Sequence, residues 1–218
     1  MKTENVHIEV DGIDHPAIIQ IPDNPKGVVV FAHGLRSNRF SPRNTLVATD
    51  LQEDGFGTVL ADLDVTDSED ERHQFFNLKK AAWHLESLVL WLKNREPFGN
   101  LPILLFGSGC GGSTVIKTAA DLGDSIQAGV LRGARPDLAS KYFKKLASPT
   151  LFIVGELDFH LINLNKRACH NVNCPADVAI IPGASHLFEE PGKLDKVAEL
   201  ASRWYTKYVG RSTTASVI

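Results

Sequence analysis

The residues with the clearest chemical character lie between Gly107 and Gly112. They read Gly107-Ser108-Gly109-Cys110-Gly111-Gly112 and follow an apolar run, Leu101-Pro102-Ile103-Leu104-Leu105-Phe106. A buried strand that enters a glycine-rich turn and then a helix has the form of a nucleophile elbow, spaced small-x-nucleophile-x-small. Small residues are needed there because strand and helix pack closely and the nucleophile's backbone is strained. The central position of this stretch, Gly109, has no side chain to offer. Cys110, one residue on, satisfies the same rule as Ser108-x-Cys110-x-Gly112, and Ser108 carries a hydroxyl one residue earlier.

Nucleophilic hydrolysis also needs a base to move the proton and an acid to hold that base in the right tautomer. Two later segments offer these in that chain order. Leu151-Phe152-Ile153-Val154-Gly155-Glu156-Leu157-Asp158 reads as a strand and a loop presenting Asp158. Ile180-Ile181-Pro182-Gly183-Ala184-Ser185-His186 reads as a strand and a loop presenting His186. Upstream, Phe31-Ala32-His33-Gly34-Leu35 closes another central strand. The backbone N–H of Leu35, with that of the residue after the nucleophile (Gly111 if Cys110 attacks), would form an oxyanion hole. His33 itself reads as structural. The glycines of the elbow lack the dinucleotide spacing, and no Lys-Ser/Thr pair follows to make a phosphate loop.

These residues need a scaffold. Short β-rich runs at 6–10 and 17–21 flank Asp11-Gly12, a hairpin signal. The continuous apolar run at 28–32 predicts a strand covered on both faces. Ser41-Pro42 opens a helix, with Ser41 as N-cap and Pro42 in the first turn, which ends near Asp54-Gly55. A strand at 58–63 and an acidic, exposed loop at 64–72 follow. Helical patterns span 78–95, 112–122, 137–146, 163–170 and 194–208, alternating with strands at 128–131, 151–154 and 178–181. Alternation after an antiparallel start predicts an α/β fold with a mostly parallel central sheet and helices on both faces. Such sheets place their sites beyond the carboxyl ends of the strands.

Composition narrows the function. With 218 residues, 43% hydrophobic content and a net charge of −3, the chain fits one domain over residues 1–210, with a polar tail at 211–218 expected to fray. That charge balance gives no footing for a nucleic acid. No apolar run approaches the roughly 20 residues that span a bilayer. The first residues lack the apolar core of a signal peptide. Three cysteines, an odd number, suggest a reducing cytoplasm rather than a disulfide framework. Cys169-His170 and Cys174 fit no common zinc spacing, so no metal is expected.

Over about residues 26 to 208 the chain resembles the dienelactone hydrolase family of α/β-hydrolases. The segments that carry the resemblance are Val30-Phe31-Ala32-His33-Gly34, Arg39-Phe40-Ser41-Pro42-Arg43-Asn44, Gly133-Ala134-Arg135-Pro136-Asp137-Leu138, Pro149-Thr150-Leu151-Phe152-Ile153-Val154-Gly155 and Pro182-Gly183-Ala184-Ser185-His186-Leu187-Phe188-Glu189-Glu190-Pro191. The resemblance implies an α/β-hydrolase fold, a cofactor-free hydrolase of small-molecule esters or lactones, and Asp158 and His186 as acid and base. It also sets the family's nucleophile on Gly109. Three readings follow. In the leading one the elbow slips by one residue and Cys110 attacks, its thiol activated by the helix N-terminus and His186, with Leu35 and Gly111 as oxyanion donors. In the second, Gly109 holds the apex, covalent catalysis is lost, and the pocket binds a ligand or His186 activates water. In the third, Ser108 is a displaced nucleophile.

Arg36, Arg39 and Arg43 follow the oxyanion segment, and Arg132 and Arg135 follow the strand after the elbow. An arginine fork can recognise a carboxylate or phosphate. The simpler expectation is that these residues cap helices and pair with acids. Phe75, Phe76 and Trp83 are expected to pack in the core rather than line a pocket.

Overall fold

Runs with no polar face become strands with no exposed face. In the computed structural model, which describes residues 1–10, 12–35, 37–63, 65–66 and 75–210, β3 (Val28–Ala32) is buried at every position. So are β4 (Gly57–Ala61), β5 (Ile103–Ser108), β6 (Ala128–Arg132) and β7 (Thr150–Gly155). Together with β1 (Lys2–Val10), β2 (Ile13–Ile21) and β8 (Ala176–Ile181) they make one sheet of order β1-β2-β4-β3-β5-β6-β7-β8. β1 and β2 form the expected antiparallel hairpin, and β2 runs antiparallel to β4. From β4 to β8 all neighbours are parallel.

Period-2 alternation divides each buried strand between two cores. Val28, Val30 and Ala32 point toward α2 (Leu78–Lys93) and α3 (Cys110–Leu122), meeting the core of Leu85, Leu88, Val115 and Ile116. Val29 and Phe31 join the opposite core, with Val47 and Leu51 of α1 (Pro42–Glu53) and Val197 and Tyr205 of α5 (Lys193–Tyr208). Tyr205 is fully buried and donates its hydroxyl to the carbonyl of Leu105 at 2.8 Å, tying α5 to the elbow strand.

Several local expectations are corrected. α3 starts at Cys110, two residues earlier than expected. α4 (Phe159–Asn171) starts four residues before position 163, because the Asp158 carboxylate accepts the N–H of Leu161 and caps it. The helix expected at 137–146 is instead a run of 3-10 turns over Pro136–Tyr142, broken at Ala139. Ala139 and Phe143 are both buried in the α2/α3 core, and that docking takes precedence over regular winding. Ser41 precedes Pro42 as expected but makes no side-chain capping bond. Val65, expected in an exposed loop, is buried, and Thr66 bridges to Phe76. Phe75 is exposed rather than packed in the core, whereas Phe76 packs against it. Asp11, Arg36, most of the acidic segment and the 211–218 tail lie outside the described residues.

α3 folds back over the end of β3 so closely that a Cβ at Gly111 would lie 2.1 Å from the Ala32 carbonyl oxygen. The three nearest atoms are all backbone atoms of Ala32 and His33, so nothing flexible can yield. Gly111→Ala is therefore expected to destabilise the protein by about 3 kcal/mol or more, measured by urea unfolding. An unfolding midpoint equal to the parent's would contradict this packing.

Candidate active site

The register of the elbow is decided by backbone angles. Gly109 has φ +56° and ψ −122°, a conformation that residues with a Cβ adopt only under strain. Its N–H donates to the Arg132 carbonyl at 3.2 Å, and its carbonyl accepts the N–H of Arg135 at 3.1 Å. These bonds to the segment after β6 hold it in place. Gly109 thus stands at the apex of the turn, and Cys110 is the first helical residue beyond it. This corrects the register that put Cys110 at the apex and Gly111 as the second oxyanion donor. With Gly109 at the apex, the next backbone N–H is that of Cys110, which as the first residue of α3 has no intrahelical acceptor.

Opposite the elbow, the Gly34–Leu35 peptide is held by its carbonyl. Leu63 N–H donates to His33 Nε2 at 3.0 Å, so the imidazole carries its proton on Nδ1 and donates to the Gly34 carbonyl at 3.0 Å. In a trans peptide the following N–H points the other way. The Leu35 N–H accordingly lies beside the Cys110 sulfur, and a Cβ on Gly34 would lie 3.1 Å from the Ser108 carbonyl oxygen and 3.8 Å from the Cys110 nitrogen. Burial pushes the Cys110 thiol above its ordinary range, outweighing the pull of Arg135 and of the Leu35 N–H. An activated nucleophilic thiol shifts in the opposite direction. No hydrogen bond among the described residues joins Cys110 to His186.

The acid and base segments do meet. Asp158 Oδ2 and His186 Nδ1 are 2.6 Å apart, while Asp158 Oδ1 caps α4. The carboxylate is largely covered (14% exposed) and the imidazole is open to solvent (55%). Three contacts that sequence reasoning missed hold the histidine loop. Glu190 accepts the Ser185 N–H on both oxygens at 3.1 Å, and Glu156 accepts the Gly183 N–H at 2.7 Å. Phe188 takes a positive φ of 57° and buries its ring in the α1/α5 core, offsetting that strain. Gly133 was missed as well: a Cβ there would sit 3.6 Å from His186 Nδ1, so its bare backbone flanks the imidazole. The only signal for Gly133, Phe188 and Glu190 was their place in the segments quoted above.

A cavity of about 120 Å³ opens between these parts, lined among others by Gly34, Leu35, Gly109, Gly133, His186 and Leu187. Of the arginines, Arg39 pairs with Asp62, Arg135 forks onto Asp137 at 2.8 and 2.9 Å, and Arg43 reaches Glu189 at 3.3 Å. Arg132 also lines the cavity. Cys169 and Cys174 are free thiols away from this end of the sheet, and among the described residues no group of three metal-ligating side chains occurs.

The dienelactone hydrolase family model matches residues 16–210. The chain belongs to the dienelactone hydrolase family. A dienelactone hydrolase structure from Anabaena variabilis is similar at 37% identity and a TM-score of 0.90, covering 95% of this chain and 98% of that one. Two Mycobacterium tuberculosis proteins, whose names propose phosphoribosyl transferase activity, are 36% identical over 209 residues. The match takes in 96% of this chain but 47% of theirs, so this chain spans about half the length of those curated relatives. An α/β serine hydrolase homologue from Coxiella burnetii shares the fold at 20% identity and a TM-score of 0.74, covering 93% of this chain and 97% of its own. Family membership supports a hydrolase. Among the described residues no helix is long and apolar enough to cross a membrane.

Burial lowers the His33 pKa below its ordinary value. The unfolded chain then binds more protons at this site, so stability that is full above about pH 6.5 is lost as pH falls below it. Nitrogen NMR is expected to show His33 as the Nδ1–H tautomer, still neutral where an exposed histidine is half charged. A titration midpoint at or above 6.5 would contradict this.

Proposed function

We propose that the protein hydrolyses a carboxylic ester or lactone and that water, rather than a side chain, attacks the carbonyl carbon. The reading is carried by the Asp158–His186 hydrogen bond at a cavity whose other wall is the bare backbone of Gly109. Asp158 fixes the proton of His186 on Nδ1, which leaves Nε2 as the general base. The base removes a proton from water as its oxygen bonds to the carbonyl carbon. The N–H groups of Leu35 and Cys110 receive the resulting oxyanion. Collapse breaks the bond to the leaving alkoxide, which takes the proton from His186, giving acid and alcohol. Exposed Leu157, Phe159 and Leu187 beside these residues suit an apolar part of the substrate. The three free cysteines are in keeping with a reducing cytoplasm.

The vacant apex also favours a second reading, in which the pocket binds its ligand without turning it over. Ester and lactone turnover separates the two. His186→Ala is expected to lower kcat/KM by about 10²–10⁴-fold. Cys110→Ala, which keeps the backbone N–H, is expected to retain turnover of the same order as the parent. Gly109→Ser restores a hydroxyl and is expected to raise turnover by about a hundredfold or more. Loss of activity in Cys110→Ala would replace water with the thiol. A parent inactive on short esters and lactones, with an active Gly109→Ser, would favour the binding reading.

A further inference from the structure

Arg132 closes β6 with its side chain almost entirely out of solvent, the residue being 7% exposed. Its Nη1 is buried and has no hydrogen-bond partner, and no ion pair to it occurs among the described residues. Its guanidinium lies 6.0 Å from the Phe106 ring centre, a weak compensation for a buried charge. Burial, and then the like charge of Arg43, lower its pKa to about 10. Removing a charge from water without a partner is costly, and buried charges are ordinarily paired. Every other site arginine described above has found a carboxylate. Arg132 lines the cavity over Gly109 instead, where a counter-charge can enter.

The rest of the cavity has the same polarity. Arg43 lines it, and its partner Glu189 does not. Among the described residues, no carboxylate side chain is part of the lining. The N-terminus of α3, 13 residues long, ends at Gly109, and its first N–H groups lack intrahelical acceptors. Ser37, Ser41 and Ser108 add hydroxyl-bearing residues to the wall. Nothing lies within 4 Å of where a Cβ of Gly109 would be, so the missing side chain leaves open space at the helix end.

We propose that this cavity is a binding site for a phosphate-class dianion, free or as a monoester, with Arg132 and Arg43 as its counter-charges and the α3 N-terminus as a third donor. Arg132 has no counter-charge among the described residues, and Arg43 is held to Glu189 only by a 3.3 Å contact open to solvent on both sides. A phosphate, near −2 at neutral pH, can therefore draw on both guanidinium groups, where one carboxylate would need only Arg132. The donors come from three separate elements, the end of β6, α1 and the start of α3, which together line one cavity. Combined with the hydrolysis proposed above, the site makes the substrate a phosphate-bearing ester or lactone. That last step alone rests on the hydrolase reading.

Thermal unfolding of the whole protein tests the site without reference to turnover. In chloride buffer of matched ionic strength, inorganic phosphate and phenyl phosphate are titrated in separate arms, with acetate as the carboxylate arm. At about a hundred times the Kd, phosphate is expected to raise Tm by about 5 °C. Acetate is expected to leave Tm unchanged. Arg132→Met removes an unpaired buried charge, so it is expected to melt at or above the parent in chloride and to lose the phosphate shift. Arg43→Gln, a surface change that spares the core, is expected to weaken phosphate binding about tenfold by calorimetry. The proposal is overturned if neither phosphate arm shifts the parent, if acetate shifts it equally, or if both variants keep the full shift. A phosphate shift in a protein without esterase activity would leave this site standing and fail the hydrolase reading, and the reverse result would do the opposite.

Discussion

The positive φ of Gly109 governs the geometry at the carboxyl end of the sheet. Its N–H is held by Arg132 and its carbonyl by Arg135, so the turn between β5 and α3 is locked to the neighbouring strand on both sides. That lock sets where α3 begins, which backbone N–H faces the Leu35 peptide, and which side of the turn Cys110 occupies. The tight seat of Gly111 against Ala32 carries the same constraint into β3. A fold that usually displays a reactive side chain at this apex here displays backbone and space.

The remaining parts of the site are built as though for that space. His33 holds the Gly34 carbonyl away, which turns the Leu35 N–H toward α3. Asp158 serves two needs at once, capping α4 with one oxygen and orienting His186 with the other. Glu190 and Glu156 fasten the loop that carries the histidine. Arg132 adds a buried positive charge at the same place. His186 hydrogen-bonded to Asp158, the bare backbone of Gly109 and the unpaired charge of Arg132 all line or border one cavity.

Much of this could be read from residue order. Continuous apolar runs at 28–32, 103–106 and 151–154 specified fully buried strands, and their alternation with helical patterns specified a parallel sheet. Asp158 and His186 were legible as strand-end residues in the right order, because loop composition marks where strands stop. The elbow register was not legible. Gly107-x-Gly109-x-Gly111 and Ser108-x-Cys110-x-Gly112 obey the same spacing rule, and only the sign of φ separates them. Nor could Arg132 be told from Arg39 or Arg135. Whether an arginine finds a carboxylate depends on what tertiary packing brings beside it: Asp137 lies two residues from Arg135, whereas among the described residues no acid pairs with Arg132 at the end of β6. The 137–146 segment failed for a similar reason, since a helical pattern there yields to the docking of Ala139 and Phe143.

Mass spectrometry of the intact protein, quenched in acid during turnover of an activated ester, tests the water-attack account most directly. The account predicts acid product with the protein at its unmodified mass at every time point. A transient mass increase equal to the acyl group, mapped to Cys110 or Ser108, would contradict it and show that a neighbouring side chain has taken over the role of the missing nucleophile.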